Sequence, residues 1–245
     1  MAISIRPITD REDLKTVVRL QRQIWGFEDV DLIPLRLFVV ASKIGGQVYG
    51  AFDGAQLIGF CMAIPGLKPG GNTYLHSHML GVLPDYRNAH VGRALKLAQR
   101  EDALARGIHL IEWTFDPLEL KNAFFNMERL GAIVRRYVPN QYGTTSSPLH
   151  GGLPTDRCIA EWWISSPRVK AILDGQPHQR PAVEARVPIP SEIADIRAKN
   201  PPRAREIQTS ACEQFRAAFE RNLAVIGFEK SAEAGTYLLG KWESA

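Results

Sequence analysis

The sequence predicts an α+β fold of the three-layer α/β type, in which a mixed central sheet is flanked by helices and followed by a C-terminal α+β extension. Up to residue 115, apolar residues recur with the period of a strand or of a helix in the order strand, two helices, three strands, helix, strand. Helical and strand patterns return after the proline-rich stretch 176–190. We therefore expect a core of residues 1–165, a connector of residues 166–190 and an extension of residues 191–245 packed on the core.

The first elements have strong local signals. Residues Ile3–Ile8 alternate apolar and polar as a strand does. Thr9 and Asp10 are candidate N-caps for a helix that runs to about Trp25. A proline suits the first turn of a second helix, over residues 34–43.

A hairpin follows the two helices. Apolar runs over residues 47–52 and 56–64 flank Asp53-Gly54. An Asp-Gly pair between two such runs is among the strongest short signals for a hairpin, so two antiparallel strands are predicted here.

The stretch TYLHSHMLGVLPDYRNAHVGRALKLA combines a strand, a turn and a helix. The strand Thr73–Val82 ends before Pro84-Asp85, and the helix starts near Val91. The first N–H groups of a helix have no acceptor within it, and the helix dipole favours negative charge there. Arg87 and Arg93 add positive charge beside those groups. A phosphate-bearing ligand is predicted, although many α/β proteins contain such a segment and bind nothing there.

The later part of this stretch, LGVLPDYRNAHVGRALKLA, resembles the acyl-CoA-binding motif of the GNAT N-acetyltransferase superfamily. The motif core is Arg or Gln, two residues, Gly, one residue, then Gly or Ala, after a strand end of the type V-x-P-x-x. The matching residues are Val82, Pro84, Tyr86, Arg87, Val91, Gly92, Arg93, Ala94 and Leu95. In the family the loop amides hold the CoA pyrophosphate, and the preceding strand holds and polarises the acyl carbonyl. The resemblance implies these cofactor-binding residues: Leu80, Gly81, Val82, Arg87, Asn88, Ala89, His90, Val91, Gly92 and Arg93.

One core position differs, because His90 stands where the family has its first glycine. Glycine tolerates positive φ and close backbone approach at little cost, whereas histidine is bulkier. Either the backbone of His90 takes an ordinary conformation, or phosphate binding is weakened.

The rest of the chain alternates strands and helices around a long loop. Strands are predicted over residues 108–115, 132–138, 158–164, 223–229 and 237–242, and helices over residues 118–130, 191–199 and 202–222. The last two strands form a hairpin around Ala234-Gly235. Tyr142–Asp156 is a Gly/Ser/Pro loop long enough to be a lid on the substrate side, and residues 176–190 are predicted to be extended.

A second segment, LKNAFFNMERLGAIV, resembles the second motif of the same family. Ala123, Leu130 and Gly131 match, but Met127 stands where the family usually has a tyrosine that protonates the departing sulfur. Methionine cannot donate that proton. Tyr137 and Tyr142 follow closely in sequence and are candidates to replace the missing acid.

Three side chains are candidates for the general base that removes a proton from the amine. His76 and His78 stand two apart on a strand and so are expected to face the same side, together with Leu80. Glu112 on the following strand is the third candidate. A structural role remains the alternative for each, as a neutral core histidine or as a solvated or paired carboxylate. A metal held by the two histidines would lack an obvious third ligand, so no metal is expected.

Composition and charge narrow the class of protein. The 245 residues carry a formal net charge of +4, which suits an anionic cofactor, and there is no basic run that predicts nucleic-acid binding. Cys61, Cys158 and Cys212 are too few and too far apart for a zinc site or a disulfide framework, so reduced thiols are expected. The N-terminal residues become charged too early for a secretory signal, and no apolar run could span a membrane. A cytoplasmic location is expected.

The resemblance implies an acyl-CoA-dependent N-acyltransferase, of a bacterial branch of the family, in which the amine attacks the thioester directly. Acetyl-CoA is the expected cofactor, with succinyl-CoA as an alternative. The expected acceptor is a small-molecule amine such as an amino acid, and a homodimer is left open. The competing hypothesis is a catalytically silent CoA-binding module, because His90 and Met127 both depart from the family pattern.

Overall fold

A computed structural model of the chain describes residues 3–143 and 151–242. These residues form two compact units, the first from residues 3–112 and the second from residues 113–143 and 151–242. The boundary falls within a strand, after Glu112. The functional division at residues 165 and 190 stays a prediction. The predicted lid loop Tyr142–Asp156 lies partly outside the described residues, which omit 144–150.

The first unit contains the strand and helix pattern predicted for the N-terminal half. Its elements are β1 (Ile3–Pro7), α1 (Arg11–Trp25), α2 (Leu35–Lys43), β2 (Gln47–Asp53), β3 (Gln56–Leu67), β4 (Thr73–Val82), α3 (Val91–Ala105) and the start of β5 (Leu110–Phe115). The strand order is β1-β2-β3-β4-β5. All neighbours are antiparallel except β4 and β5, which are parallel, so the sheet is mixed as predicted.

Two apolar clusters give the first unit its layers. On one face of the sheet, buried residues of α1 and α2 pack on β3, for example Leu14 and Phe38 with Phe60. On the other face, Val91 and Leu95 of α3 form a second cluster. Each helix therefore buries one apolar stripe against the sheet, which is the arrangement that the helical spacing predicted.

The second unit holds the remaining strands and the C-terminal extension. Its elements are α4 (Leu120–Phe124), β6 (Ile133–Val138), β7 (Arg157–Trp163), α5 (Pro167–Leu173), β8 (Ala185–Pro190), α6 (Ile193–Lys199), α7 (Pro201–Glu220), β9 (Leu223–Lys230) and β10 (Ala234–Lys241). The strand order within this unit is β7-β6-β9-β10-β8. The pairs β8–β10, β10–β9, β9–β6 and β6–β7 are all antiparallel, and β9 joins the extension to the β6–β7 pair.

Three local features of the second unit differ from the sequence prediction. The helix predicted over residues 118–130 is α4 followed by a π-helical turn, Phe125–Arg129. Helix α5 was not predicted, although Ser166 caps it by accepting a hydrogen bond from the Val169 N–H, with a proline at its first position. The hairpin turn precedes Ala234, so Ala234-Gly235 lies inside β10.

The proline-rich connector forms a strand at its end. β8 pairs only with β10 in the strand order of the second unit, and it therefore lies at an edge. An edge strand leaves one row of backbone groups unpaired, so it tolerates residues such as Pro188 and Pro190 that lack an N–H group. The extended conformation expected for residues 176–190 is thus present over β8.

All three cysteines are free thiols among the described residues. Cys61 and Cys158 are buried free thiols, and Cys212 is half-buried. Burial raises the pKa of Cys61 to about 12, which keeps its thiol protonated and unreactive at neutral pH. Over residues 3–143 and 151–242, no helix is long and apolar enough to cross a membrane.

Candidate active site

Strand β4 has a β-bulge at His78. Met62 of β3 pairs with Met79, and the next residue, Ala63, pairs with Ser77, so His78 is the extra residue on β4. A bulge interrupts the alternation of side chains and redirects the residue at the bulge. As a result Leu80 lies on the face that packs against α3, the face that Ser77 also contacts. The expectation that Leu80 shares a face with His76 and His78 is therefore wrong, because strict alternation does not continue through the bulge.

The end of β4 offers backbone groups within the first unit. Leu80, Gly81 and Val82 pair with β3 on one side. On the other side, β5 pairs with β4 at Leu75 and His76, before the bulge. Within the first unit, the end of β4 therefore has no strand partner on that side, and its backbone can bind an extended ligand there.

The turn between β4 and α3 orients backbone amides toward the start of the helix. A 3₁₀ turn, Pro84–Tyr86, is anchored by a 3.0 Å hydrogen bond from the Tyr86 hydroxyl to Asp53 Oδ2. The Ala94 N–H donates to the His90 carbonyl, so the N–H groups of the first turn of α3 have no acceptor within the helix. This helix has 15 residues, and its dipole adds partial positive charge at the same end.

His90 adopts the left-handed backbone conformation, with φ of 59° at the N-cap of α3, and Asn88 has φ of 66°. The first alternative derived from the sequence, an ordinary conformation for His90, is therefore wrong. The loop keeps the backbone shape that favours glycine, and a histidine adopts it at a strain cost of about 1 kcal/mol or more. The effect of this residue on phosphate binding stays a prediction.

A buried polar network connects α3 to the strand residue beside the bulge. Lys96 is 4% exposed, and its Nζ donates to Ser77 Oγ at 2.8 Å. Ser77 Oγ in turn donates to Gln99 Oε1 at 2.9 Å. Burial lowers the pKa of Lys96 from 10.5 to about 7, although the nearby Cys61 thiol opposes that shift. Sequence reasoning missed this network, since Lys96 lies one position off the apolar stripe of α3.

We expect the Lys96→Met variant to be more stable than the wild-type protein at pH 7, by about 2 kcal/mol. The folded-state pKa of Lys96 is below its unfolded value, so the unfolded chain binds more protons between pH 7 and 10.5. Wild-type stability should therefore gain up to about 1.4 kcal/mol per pH unit over that range from this residue. Urea unfolding of both proteins at several pH values measures the difference, and Ser77→Ala controls for loss of the hydrogen bond. A constant difference between the two proteins over that range would contradict the prediction.

The two candidate histidines lie close together but in different surroundings. Their ring centroids are 5.9 Å apart. Burial, followed by the charges of nearby groups, lowers the pKa of His76 to about 4. His78 is exposed, and partial desolvation of its ring also lowers its pKa. Both rings are therefore neutral at neutral pH and can accept a proton, and the exposed His78 is the one that a substrate amine could reach.

Glu112, the third candidate base, is held in an ion pair. Its side chain is 5% exposed, and both of its carboxylate oxygens lie 2.7 Å from Lys68 Nζ. The same ammonium lies 4.4 Å from the centre of the Tyr74 ring. Both carboxylate oxygens are engaged by the ammonium group, so the paired role left open by the sequence is the one its contacts favour.

The candidate acids are in the second unit. Tyr137 donates from its hydroxyl to Asp156 Oδ2 at 2.7 Å, and burial raises its pKa, so its proton is held by a structural contact. The Tyr142 hydroxyl lies 3.0 Å from Thr114 Oγ1, and its side chain is exposed. Met127 is fully buried in the π-helical turn. Tyr142 therefore stays the candidate acid, as a prediction.

The residues present fit an anionic, nucleotide-containing cofactor such as CoA. A Cβ atom added at Gly92 would meet only Leu80 Cδ2, at 3.5 Å, so the space over the first turn of α3 is open. Among the described residues, no group of three His, Cys, Asp or Glu side chains could hold a metal ion. The loop, the helix start and the end of β4 together offer amide donors with nearby positive charge.

Comparison with known proteins agrees with this geometry. Residues 14–131 match the model of the Acetyltransferase (GNAT) family. No curated protein matches the chain. The family match begins in α1 and ends just beyond the π-helical turn, so it includes the whole strand–turn–helix segment.

Several solved structures share the fold. Arabidopsis thaliana NAA60 in complex with acetyl-CoA has a TM-score of 0.54 and 18% identity, over 66% of this chain and 99% of that chain. Arabidopsis thaliana Naa50 in complex with the bisubstrate analogue CoA-Ac-MVNAL has a TM-score of 0.52 and 15% identity, over 66% and 98%. The ribosomal-protein-S18-alanine N-acetyltransferase from Escherichia coli has a TM-score of 0.52 and 17% identity, over 67% and 96%. At such identities the likeness shows the fold, and about a third of this chain lies outside it.

The bulged strand, the amide-rich turn and the matched family model describe the same segment. The sequence of this segment resembles the motif of the same family. The mixed sheet with flanking helices is also the fold of the solved neighbours. Residues 14–131 of the chain therefore match the acetyltransferase (GNAT) family.

Proposed function

We propose that this protein transfers an acetyl group from acetyl-CoA to the amine of a small molecule, such as an amino acid. The observation that carries the proposal is the start of α3. A helix of 15 residues begins there after two left-handed residues, Asn88 and His90. Its unpaired first-turn amides and the charge of Arg87 suit a pyrophosphate.

The cofactor is expected to bind along two adjoining segments. Residues 87–93 would hold the pyrophosphate through backbone N–H groups at the helix start. Leu80, Gly81 and Val82 would hold the acyl arm through the backbone groups that have no strand partner within the first unit. Hydrogen bonds from backbone N–H groups to the acyl oxygen would stabilise the charge that develops on it during attack.

His78 is the proposed general base. It is exposed at the bulge and neutral at neutral pH, so it can take the proton that the substrate ammonium loses. When bound, acetyl-CoA supplies the acyl group as a thioester. The amine nitrogen would form a bond to the acyl carbon and release one of its protons to solvent, while the carbon–sulfur bond would break and the thiolate would take up a proton. Tyr142 is the proposed donor of that proton.

The identity of the acceptor amine and that of the acyl group are also proposals. The names of two neighbours mention a peptide-linked analogue and a ribosomal-protein alanine, so a peptide amine belongs in any test beside small amines. Succinyl-CoA is the alternative donor. The alternative function is a silent CoA-binding module, favoured by the strained His90 and by the buried Met127 in place of a tyrosine. A homodimer and a cytoplasmic location stay predictions.

A two-part experiment tests the function. The shift of the unfolding temperature with CoA measures binding, and chromatography of released CoA measures turnover with a panel of amino acids, polyamines and short peptides. We expect stabilisation by CoA and turnover of at least one small amine above the rate without amine. Stabilisation without turnover on any amine would instead support the silent module. Absence of any stabilisation would contradict both hypotheses.

A further inference from the structure

Residues 174–184, the part of the connector between α5 and β8, pack closely on the hairpin of β9 and β10. A Cβ atom added at Gly227 of β9 would lie 2.8 Å from Arg180 Cζ, and one at Gly240 of β10 would overlap the Ala182 carbonyl oxygen. The Glu184 N–H also donates to the Leu239 carbonyl at 2.8 Å. Glycine at these two positions lets the connector lie directly on the strands, and polar side chains are enclosed beneath it.

Arg168 is the most buried of these side chains, at 8% exposure. Its Nε donates to the Gly131 carbonyl at 3.2 Å, and its Nη2 donates to the Ile226 carbonyl at 2.7 Å. Its Nη1 is buried and has no hydrogen-bond partner among the described residues. Two backbone carbonyls thus hold the Arg168 guanidinium in place, and its third nitrogen, Nη1, donates to no described residue. Leaving a buried donor unpaired is costly, and more so when the group is charged.

Three more nitrogen atoms around this guanidinium have no hydrogen-bond partner in the part of the chain that the structure describes. Arg180 uses Nη2 to contact both oxygens of Glu128 at 3.0 Å, but its Nε is buried and unpaired. His178 Nε2 and Trp242 Nε1 are buried and unpaired as well. Arg168 Cζ lies 5.9 Å from the centre of the Trp242 ring. Arg168 is hydrogen-bonded to the carbonyl of Ile226, and the Arg180 side chain packs on the next residue, Gly227.

The charges in this cluster do not balance. Arg168 and Arg180 contribute two positive charges, and Glu128 contributes one negative charge. Glu128 is already occupied, since it also accepts a 2.7 Å hydrogen bond from the Phe228 N–H. Burial and the two arginines lower the pKa of His178, so its ring is neutral at neutral pH. The cluster therefore has one uncompensated positive charge and up to four nitrogen donors without a partner among the described residues. A ligand with a single negative charge and hydrogen-bond acceptors would satisfy both.

We propose that Arg168, His178, Arg180 and Trp242 bind a small monoanion, and that the carboxylate of a small organic acid is the ligand class that fits best. A carboxylate has two acceptor oxygens and no donor, so it can take hydrogen bonds from the guanidinium and indole nitrogens without leaving a polar hydrogen unpaired. The site lies wholly in the second unit, and it does not depend on CoA or on acyl transfer.

The test follows indole N–H resonances of the ¹⁵N-labelled full chain while sodium acetate is added. The chain has five tryptophans, and a Trp242→Phe variant assigns the resonance of Trp242. We expect acetate to shift the Trp242 resonance to saturation and to leave most of the other four unchanged. Chloride and inorganic phosphate, titrated separately, should bind more weakly. A Trp242 shift that never saturates with acetate, or tighter binding of phosphate than of acetate, would overturn the proposal.

Variants identify the residues of the site. Arg168→Met is expected to abolish the saturable shift, but it also removes two structural hydrogen bonds. His178→Leu avoids that difficulty, since no protein contact of Nε2 is lost, and it should weaken acetate binding about tenfold. Arg186→Met is the matched control for Arg168→Met, because it removes the same positive charge from the same unit. The Arg186 side chain is 53% exposed and pairs with Glu229. Equal weakening by Arg186→Met and His178→Leu would contradict a specific site.

Discussion

A Gly92→Glu variant should lose CoA affinity by about 100-fold or more while keeping its fold. A carboxylate about 4 Å from a phosphate is repelled by about 4 kcal/mol at the effective dielectric constant typical of a protein surface, which is more than enough for such a loss. The added side chain has room, because the nearest atom to a Cβ at this position is Leu80 Cδ2 at 3.5 Å. An acidic residue in the first turn also interacts favourably with the helix dipole, so α3 should remain intact.

Isothermal titration with CoA measures this loss. Gly92→Ala is the matched control, since it adds the Cβ atom without the charge, and alanine favours the helix. We expect the control to bind CoA within a few-fold of the wild-type protein. If Gly92→Glu bound CoA as tightly as Gly92→Ala, the pyrophosphate would not lie at the start of α3.

His78→Ala should lower kcat by about 10²- to 10⁴-fold, with little change in the KM for acetyl-CoA. The imidazole is exposed at the bulge, so its removal should not disturb the core of the first unit. The base is active in its neutral form, and partial desolvation of the ring holds the pKa of His78 below its ordinary value. The wild-type rate should therefore rise with pH through that lowered pKa and level off above it, and the variant should lose this limb of the profile.

His76→Ala is the control for the base. Burial lowers the pKa of His76 to about 4, which makes it a weak base, and its ring lies 5.9 Å from His78. We expect a smaller loss of kcat from His76→Ala than from His78→Ala, measured with the same amine at the pH plateau. A larger loss from His76→Ala would assign the base to His76 and contradict our proposal.

Local signals in the sequence were sufficient for most of the fold. Asp10 caps α1 by accepting from the N–H groups of Glu12 and Asp13, and the Asp53-Gly54 turn joins β2 to β3. The bounds of strand Thr73–Val82 and the start of α3 near Val91 were also predicted. These features are set by neighbours a few residues apart, through capping, turn conformation and the period of apolar residues. The Ser-Pro start of α5 is a signal of the same kind that the sequence interpretation overlooked.

By itself, then, the sequence determined the order of most elements, the family motif and the place of the loop that we propose binds the cofactor. Only the tertiary structure decided which groups surround the candidate side chains. The bulge at His78 depends on how β4 pairs with β3, and the Lys68–Glu112 ion pair joins residues 44 positions apart. The burial of Lys96 and the unpaired donors around Arg168 likewise depend on the segments that cover them. Strand register, desolvation and ion pairing are properties of contacts between distant segments, so the pattern of any one segment does not contain them.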